Sequence, residues 1–531
     1  MYIGTREYKV NFWKDEQKER IIMKKKRILC LFLAMSLLLG LTACGGQGSN
    51  KEELKVTAGT PSYEDDKQIE LAAYCGPRRE GYRYWNGTYG THPDDQAGGW
   101  EGWMTEEDFQ AYIDCGFTYL LPETDAAYDH TYKNGKNQKA NSFEESDLYP
   151  FMETAERMGI PVVVLANQLT SLTSSTDYRL SDENKAFLSQ MVEDLSKYKS
   201  FKGFTFRDEP NIESVKAWGA VKDYLDGLNP NLFYFTSLLP IYCDDLTRLT
   251  TKNTDNVEEA YKDYVDAFSD AGDTFAYDNY PLWADPIMGT TSIDATWFQN
   301  LRLVAESAKE KDYDAGITIQ ATAFGPKDGQ LTTRHNREIT SKADVAFQMY
   351  SSLAYGMKNV TYYTYWQHWM DGDSCTHYSA MVNYPTEKGG EPIKTDAYYA
   401  VQEVNTEIKK FDHVFMNFDW EGTMSVVPKG KKASTALSQV GDYQNPRIAS
   451  VFSTDEAIIG CMKDTDGYDG YWIVNATDPG QNLSNSVTVE FKQATKAIAY
   501  VLGEETEITL KDGKYTFDLT SGEGVFVIPI Q

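Results

Sequence analysis

The sequence predicts an α/β protein, a (β/α)8 TIM barrel followed by a small all-β sandwich, from one repeated pattern and one change of pattern. Short apolar runs alternate with longer segments of helical period between residues 70 and 410, as in repeated βα units. The alternation occurs eight times, the number found in this barrel. Past residue 418 the chain changes to short runs broken by Gly, Asp and Asn, which indicates antiparallel strands. We therefore predict the barrel over residues 67–417 and the sandwich over residues 418–531.

The eight predicted barrel strands are short, and the third is typical of them. Its sequence, Ile-Pro-Val-Val-Val-Leu-Ala, is apolar at every position, as expected of a parallel strand buried on both faces. A doubly wound sheet would not require eight units repeated so regularly. The predicted strands cover residues 70–75, 117–121, 160–166, 203–206, 232–237, 274–277, 316–320 and 359–364.

The predicted helices follow from apolar periodicity and from start and stop signals. Thr105 and Asp108 form a capping-box pattern, and Gly116 and Gly159 stand where two helices end. The helices are expected at residues 105–115, 144–158, 181–198, 212–228, 257–271, 296–311, 341–355 and 397–410. The sandwich strands are expected at residues 457–459, 470–474, 486–490, 497–501, 506–509 and 524–529.

The N-terminal segment has the pattern of a secretory signal. Four basic residues at 24–27 precede an apolar run at 28–39 that is too short to span a bilayer comfortably. The following Leu-Thr-Ala-Cys sequence, ending at Cys44, resembles the bacterial lipobox, whose cysteine carries the lipid. Residues 1–44 are thus predicted to be a lipoprotein signal with a mis-called extension at 1–22, and residues 45–66 a tether. We expect a membrane-anchored bacterial lipoprotein, either on the cell surface or facing the periplasm.

Composition argues against several classes of partner. The net charge is −28, and removal of residues 1–43, with nine Lys/Arg and four Asp/Glu, leaves it near −33. Such a surface repels phosphate backbones, so no nucleic-acid partner is expected. The five cysteines outside the signal are scattered and have no CxxC spacing, so neither a disulfide framework nor a metal site is predicted. No cofactor is expected, and the chain is predicted to be a monomer.

Candidate chemistry concentrates at the carboxyl ends of the predicted strands, where such barrels place their sites. The fourth strand ends in Arg207-Asp208-Glu209-Pro210. This stretch resembles the fourth-strand motif of the clan A glycoside hydrolases, in which an Asn-Glu-Pro signature supplies the acid/base glutamate. The resemblance, which also covers an uncharacterised bacterial branch with an Arg-Asp-Glu-Pro motif, implies that Glu209 is the general acid/base. Asp208 stands in place of the usual asparagine, and its negative charge and that of Asp278, after the sixth strand, are expected to raise the pKa of Glu209.

The sixth and seventh predicted strands complicate this resemblance. The sixth ends in Tyr277-Asp278-Asn279-Tyr280-Pro281, whereas the seventh ends in Gln320 where clan A enzymes carry a nucleophilic glutamate. A glycosidase needs a second carboxyl group, and Asp278 is the best-placed candidate; its separation from Glu209 is expected to favour inversion. In an alternative reading, Asp208, Glu209, Tyr277 and Asp278 support attack by an N-acetyl group of the substrate. Arg207, Asp208, Tyr277, Tyr280 and Gln320 are predicted substrate contacts.

Aromatic residues near strand ends suggest a carbohydrate ligand, because aromatic faces stack on the apolar faces of sugars. Trp366 after the eighth strand and Trp85 in the first loop are the selected candidates, with His368 as a polar contact. We therefore predict a glycoside hydrolase acting on an oligosaccharide or polysaccharide. The alternative is a non-catalytic glycan-binding lipoprotein that lost its nucleophile, which Gln320 favours. A two-lobed solute-binding protein conflicts with the eight βα units.

Overall fold

A computed structural model describes residues 57–77, 105–122, 126–133, 136–272, 274–325, 334–367, 376–383 and 391–531. Residues Lys55–Gln531 belong to one compact unit. The predictions for Cys44, Trp85 and His368, and for the signal segment, lie outside the described residues. Across the described part of the chain, the helices are too short or too polar to cross a membrane.

Eight parallel segments follow one another along the chain, and we refer to them together as the parallel ring. The second segment is marked by Leu120, which forms a single parallel bridge to Val162. The fifth is interrupted between its two strands. The other strand bounds are Glu70–Ala73, Val162–Val164, Phe201–Thr205, Phe233–Phe235 with Ser237–Leu238, Thr274–Tyr277, Asp314–Gln320 and Asn359–Tyr363. All of these bounds lie within two residues of the predicted ones.

Backbone hydrogen bonds join each segment of the ring to the next. Thr118 N donates to Leu71 O at 2.7 Å, and Ala276 N donates to Thr236 O at 2.8 Å. The eighth segment pairs in parallel with both the seventh and the first. This order, with helices between the segments, is that of a (β/α)8 barrel. It brings the carboxyl ends of all the segments to one side, which we call the mouth.

The helices that connect the ring agree closely with the predicted ones. Thr105 accepts from Asp108 N in a capping box, and Gly159 ends a helix in the left-handed conformation. A helix at Asn167–Thr173 was not predicted, because its polar sequence has no apolar stripe. The α-helices are Glu106–Asp114, Leu148–Met158, Asn167–Thr173, Asp182–Leu195, Val215–Leu228, Val257–Ala271, Trp297–Lys311, Lys342–Leu353, Asp396–Lys409 and Asp412–Phe415. Short 3-10 helices occupy Phe143–Glu145, Ile212–Ser214, Leu246–Arg248, Leu437–Gln439 and Pro479–Gln481.

The C-terminal part consists of two antiparallel sheets packed face to face. Val487 and Phe517 from one sheet share a buried apolar cluster with Ile459 and Ile473 from the other, so the predicted antiparallel domain is confirmed. The larger sheet has the order Phe418–Val426, Ala457–Asp464, Asp469–Asn475, Gly524–Ile530, Lys496–Val501 and Glu504–Thr509. The smaller sheet has the order Ile448–Ser453, Asn485–Phe491 and Lys514–Leu519. The strands that begin at Phe418, Ile448 and Lys514 were not predicted.

A third antiparallel sheet, which was not predicted, lies beyond the carboxyl ends of segments six to eight. Its strands follow the order Thr290–Ile293, Leu282–Asp285, His335–Asn336, Ala323–Gly325 and Thr376–Ser379. Thr291 Oγ1 donates to Asp478 Oδ2 at 2.6 Å, which ties this sheet to the C-terminal sandwich. Two further strand pairs join His130–Lys133 to Lys136–Lys139 and Val382–Asn383 to Ile393–Lys394.

Candidate active site at the mouth of the parallel ring

Glu209 lies where the chain leaves segment four. Its backbone N donates to Ser237 O at 2.8 Å, and Arg207 N donates to Thr173 Oγ1 at 3.0 Å. Glu209 has a φ of 44°, in the left-handed region that non-glycine residues rarely adopt. Unusual backbone conformations of this kind concentrate at functional sites. These contacts fix Glu209 at the mouth, with 39% of its side chain exposed.

Arg248 secures Glu209 from the loop after segment five. Its Nη2 donates to Glu209 O at 3.0 Å and lies 3.8 Å from Glu209 Oε2, while its Nε donates to Asn211 Oδ1 at 2.7 Å. The short helix that carries Arg248 is capped by Asp245, which accepts from Thr247 N at 3.0 Å. Sequence reasoning missed Arg248, since its role depends on contact between two loops.

Asp278 lies at the mouth directly after segment six. Its backbone N donates to Leu238 O at 3.2 Å, and it forms a parallel bridge to Thr318 in segment seven. Asp278 is 7% exposed, and its Oδ1 has no hydrogen-bond partner among the described residues. A buried carboxylate oxygen without a donor is unfavourable, so its burial favours the protonated form of the carboxyl group.

The carboxyl group of Glu209 raises the pKa values of its two acidic neighbours, Asp208 and Asp278. Burial raises the pKa of Asp278 well above its ordinary value, and the nearby Glu209 and Asp208 carboxylates raise it further. The pKa of Asp208 is raised to about 6, first by the surrounding protein and then by Glu209. Asp208 nevertheless faces solvent in the mouth, so water screens part of this effect.

The pKa of Glu209 is set by causes other than the predicted ones. Burial raises its pKa, and the nearby Arg248 and Arg207 guanidinium groups lower it. The prediction named Asp208 and Asp278 as the causes of a raised pKa at Glu209, whereas in the structure burial raises it. The repulsion among the acids raises instead the pKa values of Asp208 and Asp278. Of the three groups, Asp278 is therefore favoured to hold a proton at neutral pH.

Four tyrosines line the mouth around these acids. Tyr74 Oη donates to Asp208 Oδ1 at 3.0 Å, and its ring contacts Tyr363 at 6.0 Å. Tyr280 stacks on Tyr363 with ring centroids 5.5 Å apart. Tyr242 is 41% exposed. Burial of its hydroxyl group is the largest cause of its raised pKa, and the Asp278 carboxylate is the second. Only Tyr280 was predicted; Tyr74 and Tyr363 stand at the ends of predicted strands, which could have identified them.

Gln320 does not face the open mouth. Its side chain is fully buried, with Oε1 accepting from Leu282 N at 3.1 Å. Its Nε2 donates to Thr322 O at 3.2 Å and to Arg337 O at 2.8 Å. The amide group thus links, through hydrogen bonds, the stretches of chain that follow segments six and seven. This arrangement leaves no open donor for a sugar, contrary to the predicted contact.

Tyr277 and Trp366 are also placed away from the open mouth. Tyr277 is fully buried. Burial raises its pKa, and so do Tyr261, in the helix Val257–Ala271, and Tyr355, just after the helix Lys342–Leu353. Trp366 is 1% exposed and belongs to the main apolar core. Neither presents an open face to a sugar, so the predicted contacts of both residues are not supported by their positions. Arg207 and Asp208 are exposed at the mouth, as predicted.

Among the residues that the structure describes, no group of three or more His, Cys, Asp or Glu side chains is arranged to hold a metal ion.

No protein-family model matches this sequence, and no curated protein matches it significantly. Solved structures with a similar course of the chain include a glycoside hydrolase family 5 protein from Bacteroides vulgatus, at 11% identity and a TM-score of 0.47, covering 87% of this chain and 89% of that one. A GH42 beta-galactosidase from G. stearothermophilus has 9% identity and a TM-score of 0.47, covering 85% and 100%. An alpha-amylase from Anoxybacillus has 12% identity and a TM-score of 0.44, covering 87% and 98%. With TM-scores below one half, these similarities assign no family, and the function must be argued from the site.

Proposed function

We propose that this protein hydrolyses O-glycosyl bonds of an oligosaccharide or polysaccharide, with Glu209 as general acid/base and Asp278 as its partner. The observation that carries this proposal is the placement of three carboxyl groups with raised pKa values at the mouth of the ring, where Glu209 further raises the pKa values of Asp208 and Asp278. Perturbed carboxyl groups in a cleft are what acid/base catalysis at neutral pH requires. The surrounding tyrosines supply rings and hydroxyl groups suited to a sugar.

In the proposed reaction, the protonated Glu209 carboxyl gives its proton to the leaving glycosidic oxygen as the bond to the anomeric carbon breaks. Asp278, as carboxylate, removes a proton from the water that attacks that carbon. The sum is addition of one water molecule across the bond. One proton then returns from Asp278 to Glu209, directly or through solvent.

A second arrangement exchanges the two roles. It is favoured by Asp278 itself, because the more buried carboxyl group, with its unpartnered Oδ1, holds a proton more tightly than Glu209 beside two arginines. Asp278 would then protonate the leaving oxygen and Glu209 would activate water. Both arrangements use the same pair of residues.

Leaving-group dependence tests both the function and the roles. Wild type, Glu209→Gln and Asp278→Asn are assayed on a panel of natural oligosaccharides and on the matching dinitrophenyl glycosides, whose leaving groups need no proton. We expect Glu209→Gln to lower turnover of the natural bond by about 10²- to 10⁴-fold and to retain much of the activity on the aryl glycoside. If Asp278→Asn shows this selective retention instead, the roles are exchanged. Full activity of Glu209→Gln on the natural bond would refute the assignment.

A non-catalytic glycan-binding protein is the competing function, and the buried Gln320 at the nucleophile position favours it. The two functions differ in one measurement. If wild type releases no sugar from any glycan that it binds, as judged by product analysis of the binding mixtures, the non-catalytic function is correct.

Lipid anchoring at Cys44 completes the proposal and is supported by the sequence alone. The mature chain would be held by its lipid on the bacterial cell surface, as a monomer with a glycan as its partner. Metabolic labelling with an alkynyl palmitate analogue is expected to modify the wild type and not Cys44→Ala. Equal labelling of the two proteins would exclude Cys44 as the acceptor.

A further inference from the structure

Two adjoining clefts lie between the helix Trp297–Lys311 and the strand Phe418–Val426. Their volumes are about 480 and 590 Å³, within the range of about 300–1,000 Å³ that is usual for ligand pockets. Both are lined by Lys309 and Trp420. The first also contains Asp314 and Lys358, and the second contains Tyr443.

Trp420 is held in a fixed orientation where the clefts meet. Its indole N–H donates to Thr423 Oγ1 at 2.9 Å, and its ring stacks on the buried Tyr355 at 6.0 Å with an interplanar angle of 26°. Lys309 Nζ also lies over this ring, 5.7 Å from its centroid, and the indole remains partly exposed. Tyr443 supplies a second partly exposed ring in the other cleft, directly over Gly422. Rigid aromatic rings of this kind bind with little loss of side-chain entropy.

The clefts lie at the opposite end of the ring from the mouth. Asp314, which begins segment seven, lines the first cleft, whereas Gln320 ends the same strand on the mouth side. A strand of seven residues spans about 20 Å. A ligand in the clefts is therefore separate from the carboxyl groups of the candidate active site.

The charges around the clefts favour a neutral ligand over an anion. Lys358 is already paired with Asp314 and Asp419, at 3.1 Å each. Arg302 is paired with Glu258 at 2.8 Å and with Glu306 at 3.3 Å. Glu310 is paired with Lys262 at 3.3 Å. The other lining acids, Asp312, Glu421 and Asp442, outnumber the remaining lining cation, Lys309. Phosphate or sulfate groups would be repelled, whereas hydroxyl groups find both donors and acceptors.

We infer that these clefts form a second glycan-binding site, with Trp420 and Tyr443 as stacking platforms for a neutral polysaccharide chain. This inference rests on the proposed function in one respect, because it assumes that the ligand is again a glycan. Such a site would hold the long substrate to the protein without taking part in its hydrolysis.

Affinity electrophoresis of the full chain tests this site. Native gels contain xylan, mixed-linkage β-glucan, galactomannan or starch, and every protein carries Glu209→Gln to prevent turnover in the gel. We expect at least one polysaccharide to retard this parent, and we expect Trp420→Ala to raise the dissociation constant about tenfold, the weight of one or two aromatic contacts. Retardation of Trp420→Ala within twofold of the parent, or no retardation of the parent in any gel, would overturn the inference.

Two further variants distinguish loss of a binding contact from general damage to the fold. Tyr443→Ala should weaken retardation in the same gels, while Phe452→Ala, which removes a ring that is 63% exposed on the smaller sheet of the sandwich, should not. Thermal unfolding verifies that all variants fold. Because turnover depends on Glu209 and retardation on Trp420, either proposal can fail without the other.

Discussion

The guanidinium group of Arg248 binds the backbone carbonyl of Glu209, with Nη2 3.0 Å from the carbonyl oxygen and 3.8 Å from Oε2. The contact joins the loop after segment five to the end of segment four. It stabilises a left-handed backbone conformation, which costs about 1–3 kcal/mol at a non-glycine residue. One side chain thus influences both the position and the charge of the proposed acid/base.

Replacing Arg248 with methionine should change the pH dependence of turnover. Because Arg248 lowers the pKa of Glu209, its removal should move the limb governed by Glu209 to higher pH. This is the alkaline limb if Glu209 is the acid and the acidic limb if it is the base. Turnover should fall by about tenfold to a hundredfold, since small displacements of a catalytic group are costly.

The measurement is a pH profile of kcat. Arg248→Lys keeps the charge and loses the forked contact, so it should reduce turnover with a smaller shift; profiles that superimpose on wild type would refute this role.

Asp278→Asn should make the protein more stable above neutral pH while abolishing turnover. The folded-state pKa of Asp278 lies above its ordinary value, so the folded state binds the proton more tightly than the unfolded state. Stability from this group is therefore present at low pH and is lost as pH rises through the folded pKa. Each unit of pKa difference is worth about 1.4 kcal/mol.

Thermal unfolding between pH 5 and pH 8 measures this effect. The melting temperature of wild type should fall toward pH 8 more steeply than that of Asp278→Asn. Asp223→Asn alters an exposed acid on the helix Val215–Leu228 and should follow wild type. Parallel curves of melting temperature against pH for wild type and Asp278→Asn would show that folding does not raise the pKa of Asp278.

Local patterns were sufficient to predict most of the ring. The helix Val257–Ala271 and the strand Thr274–Tyr277 have the predicted bounds, because apolar periodicity and the residues that end helices act over a few positions. The antiparallel sheet at the mouth could not be predicted in this way. His335–Asn336 is only two residues long and pairs with Leu282–Asp285, far away in sequence. Neither strand is long enough to show a period.

The candidate site was predictable only where a residue follows a strand. Glu209 and Asp278 could be selected because parallel strands bring their carboxyl ends together. Arg248 and Tyr242 lie within the loop after segment five, where sequence does not reveal which side chains meet. Gln320 does follow a strand, but the direction of its side chain depends on hydrogen bonds to the chain after segment six and after segment seven.

Gln320→Glu should destabilise the protein and should not create a retaining enzyme. A glutamate would place a carboxylate oxygen where Nε2 now donates to Thr322 O and Arg337 O. Acceptor would face acceptor in a fully buried position, at a cost of about 1–3 kcal/mol or more. Urea unfolding measures this loss, and NMR of the first-formed product anomer reports the stereochemistry. Gln493→Glu, the same change at an exposed turn position, should alter stability little. A stable Gln320→Glu variant with retaining activity would show that the carboxylate reaches the substrate.

Gly203→Ala should disturb the strand that leads to Glu209. A Cβ at Gly203 would lie 1.8 Å from Phe233 O in the neighbouring segment, a distance that only a shift of the backbone can relieve. We expect a loss of about 2–4 kcal/mol in the free energy of unfolding, measured with urea, and a fall in turnover because Glu209 moves with the strand. Gly227→Ala is the matched control. That glycine lies within the helix Val215–Leu228 with open space around it, so alanine should stabilise by about 0.5–1 kcal/mol. If both substitutions had the same small effect, segments four and five would be more loosely packed than their pairing implies.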